Sequence, residues 1–170
     1  MKILRFDNGD ADNPVLMADS AYRPDRRPLF LPDTDGCPLT CSIKVAVVID
    51  RLGKCISRRF ASRYVGGLQM VNIMTGPSLN DFSDDTVIHG PRFEIPGDRI
   101  VLSCEPGGEV TFEYPAQLVD NIIESLSRHA TFKTGDIIIL PGDIATYVPA
   151  RDMNVSVNLG DTRLLEFSVK

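Results

Sequence analysis

Short apolar runs broken by turn formers dominate the chain, a pattern that predicts a protein built mainly of strands. Residues 3–6, 15–18 and 29–31 are apolar segments separated by loops rich in Asp, Asn, Pro and Arg. The strongest strand pattern is 41–50. Val45, Val47 and Ile49 alternate there with Ala46 and Val48, so both faces are apolar and the strand is expected to be central and buried. Ser57 is expected to cap a short helix over 58–65, with Phe60 and Tyr64 on one face and Gly66-Gly67 ending it. Residues 68–74 return to strand, and 80–97, with Asp81, Asp84 and Asp85 among turn residues, read as loop.

Further along, Pro106-Gly107-Gly108 between 99–104 and 109–114 predicts a hairpin. Pro115 opens a helix over 115–129 with Leu118, Ile122 and Leu126 along one stripe. Residues 137–140 form a second buried strand after Gly135-Asp136, and Gly160-Asp161 turns a closing hairpin of 153–159 and 163–169. About ten short strands and two helices describe an α+β domain, mostly β and of mixed sheet. No repeat, low-complexity tract or linker interrupts it, so residues 1–170 are expected to form one domain.

Composition narrows the function classes. A chain of 170 residues can bury a sizeable core without disulfides or metals, and 43% hydrophobic with 24% charged residues excludes a disordered one. The net charge of −5 opposes a phosphate backbone. The densest basic groups, Arg23, Arg26 and Arg27 in one loop and Arg58, Arg59 and Arg63 in one helix, are offset by acids and read as solvated faces. No apolar run approaches the roughly 20 residues of a membrane span, and 1–12 lacks the apolar stretch of a signal peptide. A cytoplasmic location without nucleic-acid or membrane partners is therefore expected, with Cys37, Cys41, Cys55 and Cys104 kept as thiols.

Candidate chemistry is sparse. Cys37 and Cys41 lack a second matched pair, and Cys55, Cys104, His89 and His129 are scattered. Asp81, Asp84 and Asp85 with His89 form an acidic cluster whose oxygens suit Mg²⁺, yet acids beside Asn80 and Ser83 also serve as turn formers and caps. His129, at a helix end, is placed to interact with the last carbonyls. No GxSxG elbow, P-loop or GxGxxG turn occurs, and Gly135-Asp136 reads as an ordinary turn. The residues alone thus assemble no metal site or catalytic constellation, which favours a binding or assembly role.

Several segments together resemble the fumarylacetoacetate hydrolase family. Val45-Ala-Val-Val-Ile49 followed by Gly53, Ile56-Ser57, Phe60-Ala-Ser-Arg-Tyr64 and Gly67 resembles its central strand, turn and short helix. Leu126 through Gly135-Asp136 and the run 137–139 resembles its late helix and following strand. Pro28-Leu-Phe-Leu-Pro32 resembles its entry, and Leu164-Leu-Glu-Phe-Ser-Val169 its closing strand. The resemblance covers about 28–170, leaving 1–27 as a divergent N-terminal segment. It implies a mixed β-sandwich or β-roll of that family's C-terminal type with two short helices.

The resemblance also implies Mg²⁺- or Mn²⁺-dependent hydrolases, isomerases or decarboxylases of acylpyruvate-like diketo acids. Their Glu-x-Glu metal ligands fall here on Ser42-Ile43-Lys44, their ligand Asp on Ile73, and a following Arg and Asp on Pro77 and Ser78. The first histidine is His89, no lysine lies between Lys54 and Lys133, and the substrate-facing TGTP element becomes Leu140-Pro141-Gly142-Asp143. Thr75, Leu140, Pro141 and Gly142 are then the implied pocket around Ser42, Lys44 and Ile73. A hydroxyl, an ammonium and an aliphatic group do not cage a hard cation. The expectation is a non-catalytic binding, regulatory or assembly protein without a metal cofactor. A small organic acid would sit in the old pocket, and the chain would form a homodimer or pair with an active relative. The alternative is a diverged hydrolase or isomerase of diketo acids, in which Lys44 serves as base or Schiff-base amine. In that alternative Asp81, Asp85 and His89 swing over the site, and Mg or Mn enters only there.

Overall fold

Twelve strands, one α-helix and two 3-10 helices make up residues 1–7, 13–34 and 36–170, the part of the chain described by the computed structural model. Residues 8–12, part of the charged N-terminal stretch, and residue 35 lie outside the described residues. The strands are β1 (Ile3–Arg5), β2 (Val15–Met17), β3 (Tyr22–Pro24), β4 (Thr40–Ile49), β5 (Val65–Thr75) and β6 (Val87–Phe93). They continue with β7 (Ile100–Glu105), β8 (Gly108–Phe112), β9 (Ile137–Ile139), β10 (Ala145–Tyr147), β11 (Asn154–Leu159) and β12 (Thr162–Ser168). Helix α1 is Ala116–His129, and the 3-10 segments are Asp19–Ala21 and Arg58–Tyr64.

β4 is the hub of the larger sheet because both its faces are apolar. Seven consecutive residues from Ile43 to Ile49 are buried, Lys44 among them. It pairs antiparallel with β5 on one edge and with β9 and β10 in succession on the other. The full order is β2-β1-β9-β4-β5-β6-β3, mixed in direction, since β1 runs parallel to β9 and β3 parallel to β6. β2 and β3 stand at opposite ends of that order, yet only 18–21 separate them in the chain. The sheet must therefore curl until its two ends lie side by side, which makes it a β-roll.

Curling gives the sheet an inner and an outer core. Inside the roll lie Ile3, Met17, Ala46, Val48, Val71, Ile73, Val87, Ile137 and Ile139. Against the outer face (Ile43, Val45, Val47, Leu68, Met70, Ile88) pack the second sheet, ordered β12-β11-β7-β8, and α1. Val119, Ile122 and Ile123 are the buried residues of α1 with Leu118 and Leu126 at their flanks, so its apolar face is broader than the 118/122/126 stripe alone. Ser127 on the same face is buried and tied. Its Oγ accepts from the Ile56 amide at 2.8 Å and donates to the Glu124 carbonyl at 3.1 Å.

The mostly β, mixed-sheet class agrees with the strand pattern and the roll with the family resemblance, while several local readings are corrected. Residues 80–97 do not form a continuous loop, because β6 runs through them. Gly90-Pro91 disguised that strand, and proline is tolerated there because the β5–β6 register shifts between Gln69 and Val71, opposite the 89–92 segment. Residues 29–31 make only an isolated bridge, Leu29 to Val169, and Arg23 sits in β3 and not in a loop. The 58–64 helix is 3-10 in geometry, and Ser57 precedes it without a side-chain cap hydrogen bond. The N-terminal segment supplies β1, β2 and β3 to the roll. Among the described residues no helix is long and apolar enough to cross a membrane.

Asp136, read as a turn residue, is a buried anchor. Its carboxylate accepts from the Lys2 amide (2.8 Å), from Lys2 Nζ (2.6 Å) and from the Lys133 amide (2.8 Å). Burial pushes its carboxyl up, but these donors outweigh that and hold it below the usual carboxylate range. A carboxyl depressed in this way stabilises the fold above its unfolded pKa, and that contribution is lost as pH falls through the folded value. Asp136→Ala is expected to destabilise by about 1–3 kcal/mol at neutral pH, as befits hydrogen bonds to a charged group. Denaturant titrations should show the wild-type advantage shrinking below about pH 4.

Gly90 marks where the layers meet. A Cβ there would lie 1.8 Å from the Leu164 carbonyl oxygen, a backbone atom of β12 that cannot step aside. Gly90→Ala is accordingly expected to cost at or above the upper end of the roughly 1–3 kcal/mol typical of overpacking, read as a drop in chemical-denaturation midpoint.

Candidate active site

The ladder between β4 and its edge partner breaks at one place. Leu140 donates to the Val45 carbonyl (2.9 Å), the chain then leaves the ladder, and Ile144 rejoins it at the Ile43 carbonyl (2.7 Å). Pro141 has no amide hydrogen to offer, and Gly142 takes a φ of +96°, a value that side-chain-bearing residues rarely adopt. The looped-out segment lies opposite Lys44 and carries Asp143 to it. Lys44 Nζ stands 2.8 Å from Asp143 Oδ1, the lysine side chain 7% exposed and the aspartate 24%. The pair therefore runs from the end of the roll interior to its mouth.

Around this pair lies a cleft of about 170 Å³ lined by Arg5, Asp7, Ser42, Lys44, Ile73, Thr75 and Asp143. Register explains the convergence. Ser42 pairs with Ile73 and Thr40 with Thr75 across β4 and β5, so alternate residues of both strands point into the roll at one end. Arg5, two residues from the buried Ile3, faces the same way from β1. Its Nε lies 3.1 Å from Asp7 Oδ1 and its Nη1 3.1 Å from Asp81 Oδ1. Thr75 Oγ1 donates to the Thr40 carbonyl at 3.3 Å. A larger hollow of about 490 Å³ near Leu31, Cys37 and Arg151 exists on another surface; its described lining holds one acid, Asp33, one base, Arg151, and the Thr34 hydroxyl, against two acids, two bases and two hydroxyls in the cleft.

The structure brings Ser42, Lys44, Ile73 and Thr75, the positions that the family resemblance singles out, to line one cleft. It places Leu140 in the outer core, and Pro141 and Gly142 only shape the turn that delivers Asp143. His89 lies outside the cleft. It stacks on Tyr22 with ring centroids 4.3 Å apart, and Gln69 Nε2 is 3.0 Å from its Nδ1. Gln69 also donates to the Gly90 carbonyl and accepts from the Tyr22 hydroxyl at 2.7 Å.

Nor do Asp81, Asp84 and Asp85 gather with His89. Asp81 turns to Arg5, Asp84 is exposed, and Asp85 Oδ1 sits 3.2 Å from Arg23 Nε, close enough to pair though not aligned as a hydrogen bond. Asn80 and Ser83 close the turn with side-chain bonds to the Phe82 and Asn80 amides. Cys37 and Cys55 are exposed and Cys104 is buried. Cys41 is buried beside Asn72 and Tyr147, and burial pushes its thiol up. His129 is exposed in the last turn of α1. Arg5, Asp7 and Asp143 are the site residues the pattern did not single out. The signals were there: Arg5 shares the Ile3 face of a strand, and Pro141-Gly142 interrupts an apolar run.

No protein-family model matches the sequence, and no curated protein matches it either. Solved structures do match. A maleylpyruvate hydrolase from Sphingobium sp. SYK-6, in complex with manganese(II) ion and pyruvate, superposes with a TM-score of 0.81 at 17% identity, over 99% of this chain and 69% of that one. A 5-carboxymethyl-2-hydroxymuconate delta-isomerase from Mycobacterium smegmatis gives 0.78 at 19% identity, over 99% and 78%. A Yersinia pestis CO92 protein provisionally placed in the fumarylacetoacetate hydrolase family gives 0.75 at 17% identity, over 99% and 92%. The chain has the fumarylacetoacetate hydrolase fold. The fold includes its first 27 residues, since the superpositions span nearly the whole chain, and the mouth of its roll is the cleft around Lys44.

Burial lowers the His89 pKa, outweighing the opposing effects of the Gly90 carbonyl and Asp25. A histidine depressed in the folded state binds fewer protons there than when unfolded, so stability rises with pH across its titration. Between about pH 7.5 and 5.5 the wild type should lose stability as the unfolded imidazole, near 6.5, takes up its proton. His89→Asn should lose less over the same interval in paired denaturant titrations.

Proposed function

We propose that this chain is a metal-independent enzyme for a small 2-oxo acid of the acylpyruvate type, a hydrolase or isomerase whose working groups are Lys44 and Asp143. One observation carries the reading: a buried ammonium held 2.8 Å from a partly exposed carboxylate, in a cleft edged by the Ser42 and Thr75 hydroxyls and the Arg5 guanidinium. The reaction class is supported by the fold's neighbours, a maleylpyruvate hydrolase and a delta-isomerase of a hydroxymuconate. The cleft is small beside the roughly 300–1,000 Å³ of drug-sized ligand sites, which favours a short acid.

The donor set does not fit the divalent ion seen in the Sphingobium structure. Ile73 offers no oxygen, and the Lys44 ammonium would repel a cation at the place where Asp143 could hold one. The ammonium itself supplies positive charge. In hydrolysis Asp143 takes a proton from water, whose oxygen bonds to the acyl carbonyl carbon. The bond from that carbon to the pyruvoyl methylene breaks, and its electron pair forms an enolate whose oxygen faces Lys44. The proton on Asp143 then goes to the methylene carbon, which completes pyruvate and regenerates the carboxylate. In isomerisation Asp143 would move a proton between two carbons of the same substrate while Lys44 holds the enolate.

A second reading, a non-catalytic acid-binding protein, is favoured by the same contact. Asp143 is engaged by Lys44, and His89 faces Tyr22 and Gln69 outside the cleft. Incubation with simple acylpyruvates in excess chelator, followed by proton NMR for released pyruvate or isomerised product, separates the two. Turnover is expected to persist in chelator and to fall about 10²-fold or more in Lys44→Met and Asp143→Asn, as when one charge-stabilising group is removed. Binding without turnover in the wild type selects the second reading. Turnover that requires added Mn²⁺, or micromolar Mn²⁺ binding by calorimetry, sinks the metal-independent one.

A further inference from the structure

The arginines of the 23–27 segment divide their work. Arg23, in β3, turns along its own chain: Nη1 donates to the Arg27 carbonyl (3.1 Å) and Nη2 to the Pro28 carbonyl (2.9 Å), so it props the loop that follows. Two further contacts fasten that loop to the second sheet. Asp25 Oδ2 accepts from the Glu166 amide of β12 at 3.0 Å, and the Leu29 amide donates to the Ser168 carbonyl at 2.7 Å. Arg26 and Arg27 ride on this fixed backbone. Both are exposed, and neither guanidinium has a hydrogen bond or ion pair among the described residues.

Between the loop and the second sheet lies a hollow of about 380 Å³, which shares no lining residue with the Lys44 cleft. Arg26 and Arg27 line it from the loop and Arg163 from β12. Two carboxylates line it as well. Glu166 is paired with Arg163, but both side chains are more than half exposed, so the pair is weak and an incoming anion can replace the glutamate. Asp25 is occupied by the Glu166 amide. Three guanidiniums against two carboxylates leave the hollow positive in a chain of net charge −5. The Asn154 amide and the Ser168 hydroxyl add uncharged donors.

The placing of the donors selects the anion. A planar carboxylate is matched by one guanidinium fork from one side, whereas a phosphate carries three strong acceptor oxygens that donors on opposite walls can share. Here guanidiniums come from both walls. We propose that this hollow binds a phosphate group, free or carried by a small molecule, held by Arg26 and Arg27 from the loop and by Arg163 once Glu166 releases it.

The test is calorimetry with amide NMR shifts on the whole protein, using glycerol 3-phosphate, inorganic phosphate and malonate. Saturable binding of a phosphate is expected, about tenfold or more tighter than malonate, with shifts at 26–29 and 163–168. Arg26→Gln with Arg27→Gln, both exposed, should weaken it about tenfold or more, the scale of a lost hydrogen bond to a charged group. Glu166→Gln, which frees Arg163, should strengthen it severalfold. Arg59→Gln with Arg63→Gln, whose guanidiniums lie over the Phe60 ring at 4.5 and 4.8 Å, should leave it unchanged. Tighter binding of glycerol 3-phosphate than of inorganic phosphate assigns the site to an ester, and equal binding assigns it to the free ion. The site is overturned if neither phosphate saturates, if malonate binds as tightly, if Glu166→Gln gains nothing, or if the two arginine pairs lose affinity alike.

Discussion

An ammonium inside a protein must meet an anion, and in this fold that requirement decides where the site can be. Lys44 sits on a strand paired along both edges and covered on both faces, so no rotation of its side chain carries the charge into bulk water. Taking an ion out of water costs several kcal/mol even after relaxation, and only close, well-oriented partners offset it. The neighbouring edge supplies one by interrupting itself. Had 137–147 stayed in register along β4, a backbone ladder would lie opposite Lys44. Instead Pro141 and Gly142 release the chain for three residues, and Asp143 comes into contact. Its greater exposure leaves the pair with one end in a low-dielectric interior and the other at the solvent, which is where a polarised pair can act on a ligand.

The roll places everything else. Because β2 and β3 occupy opposite ends of the sheet order and are nearly adjacent in sequence, closure is enforced by connectivity as well as by apolar burial. The Asp81 turn then seals the seam. The Ala18 amide donates to the Asp81 carbonyl at 3.0 Å, and the Asp81 side chain holds Arg5. One short turn thus ties the N-terminal strands to the β5–β6 connection and sets one wall of the cleft. Fold and site share these contacts, so damage to the seam would disturb both.

Much of this was legible in the residues, for identifiable reasons. The buried hub strand announced itself through uninterrupted Val and Ile, and α1 and both late hairpins through Pro and Gly at their ends. The strands that stayed hidden are three-residue pieces (β3, β10) or carry Gly-Pro (β6), where pairing across the sheet and not local preference sets the conformation. At the site, Ser42, Lys44, Ile73 and Thr75 were singled out through the family resemblance, and they fall on the two long strands, whose alternation turns all four into the roll. Arg5, Asp7 and Asp81 come from segments 76 or so residues apart that only closure of the roll brings together, and no local pattern encodes a meeting of that kind. The buried role of Asp136 was hidden for the same reason: the Lys133 amide is three residues away, as in any turn, but the other two donors belong to Lys2, 134 residues distant.

The charges of the cleft also explain why net charge says little about its ligand. Among the described residues Arg5 and Lys44 face Asp7, Asp81 and Asp143, all within paired contacts, in a protein of net charge −5. With each described cation of the cleft paired to a carboxylate, the proposed recognition would not rest on attraction at a distance. What remains is exchange at short range. On the proposed function, an incoming carboxylate or enolate oxygen would share the Lys44 ammonium with Asp143, the more exposed member of the pair. Selectivity on that proposal would depend on how well a ligand restores the hydrogen bonds it breaks, which favours small acids carrying several oxygens close together over larger anions of the same charge.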